Sequence, residues 1–225
     1  MLLDKLTNNL KIKAGTRKQV TEMSSSPTPA RRFLMVHGVQ HRRPRQHWLW
    51  WLTEALRRRG EQVLYPQFPA PEQPSMNEWI DLLHAELAQL GDQERVVVCH
   101  SLGCALWLRA AQTLSADLRV TRVLLVSPLG EQAFTAANGN EDFKLERVDR
   151  ELLAAASTEP PHVVVSATDP YAPANPRAWS AALDLDCDVL PAAGHITPKD
   201  GYGPWPAALA WCLRKQTPVS AATGP

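Results

Sequence analysis

Short runs of apolar residues recur along the chain, and most are followed by a segment in which apolar side chains return every three or four positions. The runs are rich in β-branched residues and show no polar alternation, which is typical of strands buried on both faces of a parallel sheet. The intervening segments have the period of amphipathic helices. The pattern therefore predicts an α/β domain in which about six parallel strands carry helices on both faces.

The apolar pattern also places the individual elements. We expect strands at residues 33–36, 62–65, 96–98, 122–126, 162–166 and 187–190. We expect helices at residues 46–59, 76–90, from 102 to about 114, 144–156, 175–182 and 204–215. Right-handed crossovers between parallel strands then predict the strand order 2-1-3-4-5-6, without a second domain.

The third predicted strand runs directly into a sharp turn that carries a serine, Ser101, and a helical segment follows at once. This arrangement resembles the G-x-S-x-G corner, which lifts the serine hydroxyl clear of the sheet. Cys99 and Gly103 occupy the two small-residue positions, which are needed because the strand and helix backbones pass close together. An ordinary strand–helix turn with a buried serine is the alternative. An acid and a histidine after later strands would distinguish the two.

Both residue types are present where the hypothesis needs them. Asp169 follows the fifth predicted strand, and His195 follows the sixth. The chain order serine, aspartate, histidine is that of α/β-hydrolases, and the carboxyl ends of parallel strands meet at one edge of the sheet. We therefore predict that Ser101 is the nucleophile, that His195 takes its proton, and that Asp169 orients the imidazole.

Other residues fit these roles less well. His100 is next to the serine, but neighbouring side chains in a sharp turn point apart. His37 lies in a His-Gly turn, where shaping the loop is its expected role. Asp188 lies inside a predicted strand and Asp200 follows the catalytic histidine in the chain, so both are weaker candidates for the acid.

A serine nucleophile also needs two N–H donors for the oxyanion. The backbone N–H of Leu102, directly after the serine, is the first predicted donor. The loop after the first strand should supply the second, with Val39 as the first choice and Gln40 as the alternative.

We expect a small pocket beside the triad. Ester substrates are favoured over amides, because amide hydrolysis needs better protonation of the leaving group. The predicted walls are Trp48, Trp51, Tyr171 and Ile196, with residues of the 129–145 loop.

Composition narrows the class of protein further. The net charge of +1 does not favour nucleic acid as a partner, and no apolar run reaches membrane-spanning length. The N-terminal residues hold no apolar signal segment, and the four cysteines have no metal-type spacing. Cys99 precedes the corner and should be a buried thiol rather than a nucleophile. We expect a cytoplasmic protein without a metal or cofactor.

The predicted domain spans residues 31–216. Residues 1–30 are polar and include a linker-like run at 24–29, so we expect a loosely structured tail there. Met23 stands just before this run, which leaves open whether translation begins at Met1 or Met23. Residues 217–225 are expected to form a flexible C-terminal tail.

Several motifs together resemble a known family. The chain resembles the small serine hydrolases of the retinoblastoma-binding-protein-nine type over roughly residues 33–213. This resemblance implies a compact α/β-hydrolase fold without a large lid, a triad of Ser101, Asp169 and His195, and hydrolysis of esters or amides. The segment 37–40 departs from the family, and residues 1–30 have no counterpart in it. The motifs are His47-Trp48 with Trp51-Leu52, Cys99-His100-Ser101-Leu102-Gly103-Cys104, Ser127-Pro128, Ser166-Ala167-Thr168-Asp169-Pro170-Tyr171-Ala172-Pro173, Gly194-His195-Ile196 and Asp200-Gly201-Tyr202-Gly203-Pro204-Trp205-Pro206.

The sequence therefore predicts a serine hydrolase that acts on small esters or amides through an acyl-enzyme on Ser101. A catalytically silent protein-binding module with the same fold is the alternative, because a fold does not dictate a function. A protein partner stays possible under either hypothesis.

Overall fold

The computed structural model describes residues 31–135, 140–214 and 219. The predicted N-terminal tail, the question of Met1 or Met23, and most of the predicted C-terminal tail lie outside these residues. Val219 is the exception, because it is buried and its N–H donates to the carboxylate of Asp188 at 2.9 Å. The flexible C-terminal tail stays a prediction.

Six parallel strands form a single sheet in the order β2-β1-β3-β4-β5-β6. This confirms the predicted fold class and strand order. The apolar runs fill the sheet, and the central strands are buried along nearly their whole length. The strands are β1 (Arg31–Val36), β2 (Gln62–Leu64), β3 (Glu94–His100), β4 (Arg122–Val126), β5 (His162–Ser166) and β6 (Asp186–Leu190).

Helices cover both faces of the sheet. The connection from β1 to β2 runs along the sheet in the opposite direction to all later connections, so right-handed crossovers place its helix on the opposite face. The buried side chains accordingly form two clusters, one with α1 and α6 and the other with α2, α3, α4 and α5. The helices are α1 (Trp48–Arg57), α2 (Met76–Gln89), α3 (Leu102–Ala110), α4 (Arg150–Ala155), α5 (Pro176–Ala182) and α6 (Pro206–Cys212). None of the helices in the described ranges is long and apolar enough to cross a bilayer.

The predicted helix at 144–156 is wrong in its first half. The helix begins only at Arg150, because the Asp149 side chain accepts the N–H groups of Glu151 and Leu152 and caps it there. Leu145 and Val148 come before the cap and pack against the core from an irregular segment. Their spacing had indicated a helix, but it reflects loop side chains that reach the same core. The described part of the connection between β4 and α4 otherwise contains two 3₁₀ turns, Glu131–Ala133 and Glu141–Phe143.

A buried arginine fastens α6 to the sheet. The Arg122 side chain, 5% exposed, donates to the carbonyl oxygens of Trp211 and Cys212, both at 2.9 Å. Its guanidinium also pairs with Glu94 at 3.2 Å and lies 4.7 Å from the centre of the Trp211 ring. The last turn of a helix has carbonyl groups without helical partners, and Arg122 donates to two carbonyl groups there; that of Trp211 also accepts the N–H of Arg214 at 3.1 Å.

We expect Arg122→Met to lower the free energy of unfolding by about 2–3 kcal/mol, because it removes the donor to the buried carbonyl of Cys212 and one of the donors to that of Trp211. The matched control is Arg150→Met, whose partner Asp184 is 3.0 Å away with both side chains mostly exposed. That change should stay within about 0.5 kcal/mol. Urea unfolding of both variants measures the difference, and equal losses would contradict the role given to Arg122.

Candidate active site

Three side chains from distant parts of the chain meet at the carboxyl edge of the sheet. Nε2 of His195 lies 2.9 Å from Oγ of Ser101, and Nδ1 lies 2.8 Å from Oδ2 of Asp169. Ser101 follows β3, Asp169 lies after β5, and His195 lies after β6, so parallel pairing brings their loops together. The structure therefore brings the three predicted residues into one hydrogen-bonded line.

The turn at Ser101 holds its hydroxyl at the edge of the sheet. Ser101 has φ 56° and ψ −122°, a backbone conformation that L residues rarely adopt. Its N–H donates to the carbonyl of Val126 at 2.9 Å, which ties the strained turn to β4. A Cβ on Gly103 would lie 2.8 Å from the carbonyl oxygen of Val36, so helix and strand pass too closely for a side chain there. This is the physical reason for a small residue after the serine.

The loop that carries His195 is also strained, and Asp200 holds it. Gly194 and Ile196 both have φ 52°, which for a β-branched residue is a rare conformation. The Asp200 carboxylate accepts the N–H groups of His195 and Thr197, both at 3.1 Å. Asp200 therefore positions the backbone of the histidine loop, and it does not replace Asp169 at the ring.

Two side chains fix the same loop through its carbonyl groups. Nε2–H of His100 donates to the carbonyl of His195, and Nε1–H of Trp48 donates to the carbonyl of Ile196, both at 3.0 Å. Trp48 and Ile196 have no exposed surface, so the prediction that they line the pocket is wrong. Trp48 instead supports the catalytic loop through its hydrogen bond, and Ile196 is a buried residue of that loop.

The carboxylate of Asp169 is also fixed by its surroundings. The Asp169 side chain has no exposed surface, and its Oδ1 accepts the N–H of Tyr171 at 2.9 Å. Oδ2 is then directed at His195. The rival Asp188 instead pairs with His162 at 2.8 Å on β5. The carboxylate in contact with the catalytic imidazole is therefore that of Asp169.

The peptide N–H groups of the two predicted oxyanion donors have no acceptor among the residues that the structure describes. One is that of Leu102, which opens α3 and so has no partner within the helix. The other is that of Val39, next to Gly38, at which a Cβ would lie 2.8 Å from Cβ of Ser101. The N–H of Gln40 donates to the carbonyl of Pro71 at 2.6 Å, so Gln40 is not available as an oxyanion donor.

The pocket differs from the prediction. Trp51 is half-buried on α1 and packs against the core of the opposite face, and Tyr171 alone of the predicted walls is well exposed beside the triad. A cavity of about 530 Å³ lies between α3, α5 and the connection from β4 to α4. Its lining includes Leu129 and Leu145, which belong to the predicted 129–145 loop, but also Trp179 of α5. No motif marks Trp179, and only its apolar character on a short helix could have indicated it.

Five imidazoles form a continuous cluster beneath the site. Neighbouring ring centres lie between 4.5 and 5.2 Å apart. Burial lowers the pKa of His37 to about 4, of His41 to about 2 and of His47 to about 3. Burial also holds the pKa of His100 well below its ordinary value. The members, in contact order, are His37, His41, His47, His100 and His195.

These buried rings are not rival bases. Nδ1–H of His37 donates to the carbonyl of Gly38 at 2.8 Å, and its Nε2 accepts the N–H of Phe68 at 2.9 Å. His37 therefore shapes the loop after β1, as its position predicts. The proton-donating nitrogen of His100 faces the His195 carbonyl rather than the serine. Among the described residues, no three His, Cys, Asp or Glu side chains are grouped so as to hold a metal ion.

The two thiols that flank the corner are inert for the same reason. Cys99 and Cys104 are completely buried, and burial raises the pKa of each thiol well above its ordinary value. Sγ of Cys104 donates to the carbonyl of Val126 at 3.3 Å. Cys99 is therefore a core side chain and not a nucleophile.

A family model described as serine hydrolase matches residues 33–213, which is most of the chain. The chain belongs to the serine hydrolase family. The chain is also 31% identical over 93 residues to the YdeN protein of Bacillus subtilis, which has been described as a hydrolase. The match covers 41% of this chain and 48% of YdeN, so the chain spans about half the length of that curated relative.

Solved structures show the same fold. The crystal structure of YdeN superposes on this serine hydrolase with a TM-score of 0.71 at 22% identity, covering 82% of this chain and 97% of YdeN. An esterase domain from Rhodothermus marinus gives a TM-score of 0.62 at 18% identity, covering 84% of this chain and 89% of that domain. At these identities the superpositions establish the architecture alone.

The four histidines of the cluster whose pKa is lowered, His37, His41, His47 and His100, make the stability of the fold depend on pH. In the unfolded serine hydrolase each imidazole binds a proton near pH 6.5, whereas the buried rings in the folded state do not until much lower pH. The unfolded state then binds more protons, so the free energy of unfolding should fall as the pH is lowered from 6.5 toward 4. Each such histidine contributes a slope of about 1.4 kcal/mol per pH unit.

We expect His41→Asn to reduce this slope by about one histidine's share, because asparagine keeps an acceptor for the N–H of Arg43 but does not titrate. The same substitution at His84 on α2, outside the cluster, serves as the matched control. Urea unfolding at several pH values measures the slope. An unchanged slope in His41→Asn would contradict the neutral state of the ring.

Proposed function

We propose that this protein hydrolyses small carboxylic esters through an acyl-enzyme on Ser101. The observation that carries the proposal is the line of hydrogen bonds from Oγ of Ser101 through the His195 ring to the buried Asp169 carboxylate. A serine hydroxyl is a weak nucleophile unless a neighbouring base takes its proton, and this line supplies one.

The first half of the reaction follows from this line. Oγ of Ser101 attacks the ester carbonyl carbon while its proton passes to Nε2 of His195. The ester C–O bond then breaks, and the proton on Nε2 passes to the departing alkoxide, which leaves as the alcohol. Asp169 remains ionised, keeps Nδ1–H pointed at itself and stabilises the imidazolium that forms. The acyl group stays on Ser101.

Water completes the cycle. His195 takes a proton from a water molecule as its oxygen attacks the acyl carbon, and the same proton returns to Oγ when the serine ester breaks. The product is a carboxylic acid, and the enzyme is restored. In both halves the carbonyl oxygen becomes negatively charged, and the N–H groups of Leu102 and Val39 are the donors that we propose for it.

The alternative of a silent binding module has less support. Strain at the serine turn and at the histidine loop is retained in the fold, and such strain is most often kept where chemistry requires it. Membership of the serine hydrolase family also supports a hydrolase. We also propose the retinoblastoma-binding-protein-nine type, on the motifs around Ser101, Asp169 and His195.

We further propose a cytoplasmic location and a small-molecule ester as the partner of the site. The four cysteines are free, which accords with a reducing compartment. The preference for esters over amides rests on leaving-group chemistry.

Ser101→Ala should abolish labelling by a fluorophosphonate probe and lower kcat for p-nitrophenyl acetate by about 10⁴-fold or more, because the nucleophile is gone. The matched control is Ser75→Ala at the cap of α2, whose hydroxyl accepts the N–H of Glu78 and is not bonded to a triad residue; this variant should keep both. Absence of labelling in the wild-type protein, or labelling that persists in Ser101→Ala, would favour the binding module.

The oxyanion donors can be tested separately. Val39→Pro removes one N–H and should lower kcat by about 10²–10³-fold, whereas Val39→Ala keeps the N–H and should retain most activity. Circular dichroism and urea unfolding check that the proline variant is folded. Equal kcat values in a folded Val39→Pro and in Val39→Ala would exclude Val39 as a donor.

A further inference from the structure

The cavity of about 530 Å³ lies on the face of the sheet that α2, α3, α4 and α5 cover. It is enclosed by α3, by the start and one face of α5, and by the described part of the connection from β4 to α4. None of its lining residues has a part in the hydrogen-bonded line of the triad. The cavity is therefore a separate feature of the structure.

The cavity begins one helical turn from the nucleophile. Ala105 lines it and lies four residues after Ser101 along the same helix, a distance of about 6 Å along the axis. Leu108 also lines it, about 10 Å from Ser101 by the same measure. A group attached to the carbonyl carbon at Ser101 would reach this space by running along α3.

The cavity and the triad also share a loop. The segment after β5 carries Asp169 and Tyr171 and continues into Pro173, which lines the cavity. The N–H of Gly130, another lining residue, donates to the carbonyl of Tyr171 at 2.8 Å. The Tyr171 ring in turn lies 5.0 Å from the His195 ring, centre to centre. The cavity wall is thus hydrogen-bonded to the loop that orients the catalytic imidazole.

The walls of the cavity are mostly apolar, and the uncharged polar lining residues are Gln132 and Asn175. Half-buried side chains of Phe134, Val148, Trp179 and Leu183 line the interior. The charged lining residues are all exposed and carry both signs. A charged group inside the cavity would therefore lose its hydration without gaining a partner. The chemistry of the walls fits an uncharged hydrocarbon. The charged residues are Glu131, Lys144, Glu146 and Arg147.

We propose that this cavity binds the acyl chain of the substrate, so that the enzyme prefers esters with uncharged acyl chains of medium length over acetate esters. The inference rests on the proposed ester hydrolysis at Ser101, because the chain is placed by the carbonyl group that the serine attacks. The volume lies within the range of small-molecule sites, about 300–1,000 Å³. Specificity would then come from α3, α5 and the β4–α4 connection rather than from the predicted tryptophans of α1.

The test is a series of p-nitrophenyl esters from acetate through butyrate and hexanoate to octanoate. We expect kcat/KM to rise along the series by about threefold to fourfold for each methylene that enters the cavity, since burying one contributes about 0.8 kcal/mol. Trp179→Ala removes a wall, and Val148→Trp fills the space. Each should lower the ratio of octanoate to acetate kcat/KM by about tenfold.

Trp50→Ala is the matched control for Trp179→Ala, because Trp50 is a half-buried tryptophan packed on the opposite face of the sheet. Its octanoate-to-acetate ratio should stay at the wild-type value. A wild-type profile that falls with chain length would overturn the inference, as would a ratio that neither cavity variant changes. Fluorophosphonate labelling of Ser101 in every variant separates the outcomes: labelled protein with no chain-length preference disproves the acyl cavity alone, and unlabelled wild-type protein disproves the hydrolase as well.

Discussion

The His195 ring has to present its two nitrogens to two partners at once, and much of the surrounding structure serves to hold it there. A rotation that improves one hydrogen bond would break the other, since Ser101 and Asp169 belong to loops after different strands. The backbone on both sides of the ring is tied, by Asp200 at the N–H and by His100 at the carbonyl. Because the backbone is fixed on both sides of the ring, the ring is oriented before any substrate arrives, which is the main requirement for electrostatic catalysis.

Holding the loop this way has a cost in stability. Three imidazole nitrogens in the cluster below the site, on His41, His47 and His100, have no hydrogen-bond partner among the described residues. Buried polar atoms without partners destabilise a fold. Positive φ angles at Ser101 and Ile196 add strain in the same small region. The large apolar cores on both faces of the sheet offset these terms. The destabilising features are concentrated in the part of the molecule where the chemistry takes place.

The strands and the three central residues could be predicted because their signals are local. A β-branched run ending in a sharp turn is visible in the sequence, and parallel pairing then brings the turns to one edge. The pocket could not be predicted this way, since Trp48 and Trp179 look alike in sequence, yet one is sealed in the core and the other lines a cavity. The predicted start of α4 was wrong because Leu145 and Val148 have a helix-like apolar spacing but pack against the core from a segment that is not helical. Whether a side chain is buried or lines a cavity depends on neighbours that lie far away along the chain.

The thiols of Cys99 and Cys104 are sealed beneath the corner that carries Ser101. In the folded protein they should resist alkylating reagents, because burial keeps them protonated and out of contact with solvent. Their alkylation would then require β3 and α3 to separate, at least briefly. The rate at which these two thiols are alkylated would therefore report how often the nucleophile corner opens. Mass spectrometry can measure this rate without any substrate.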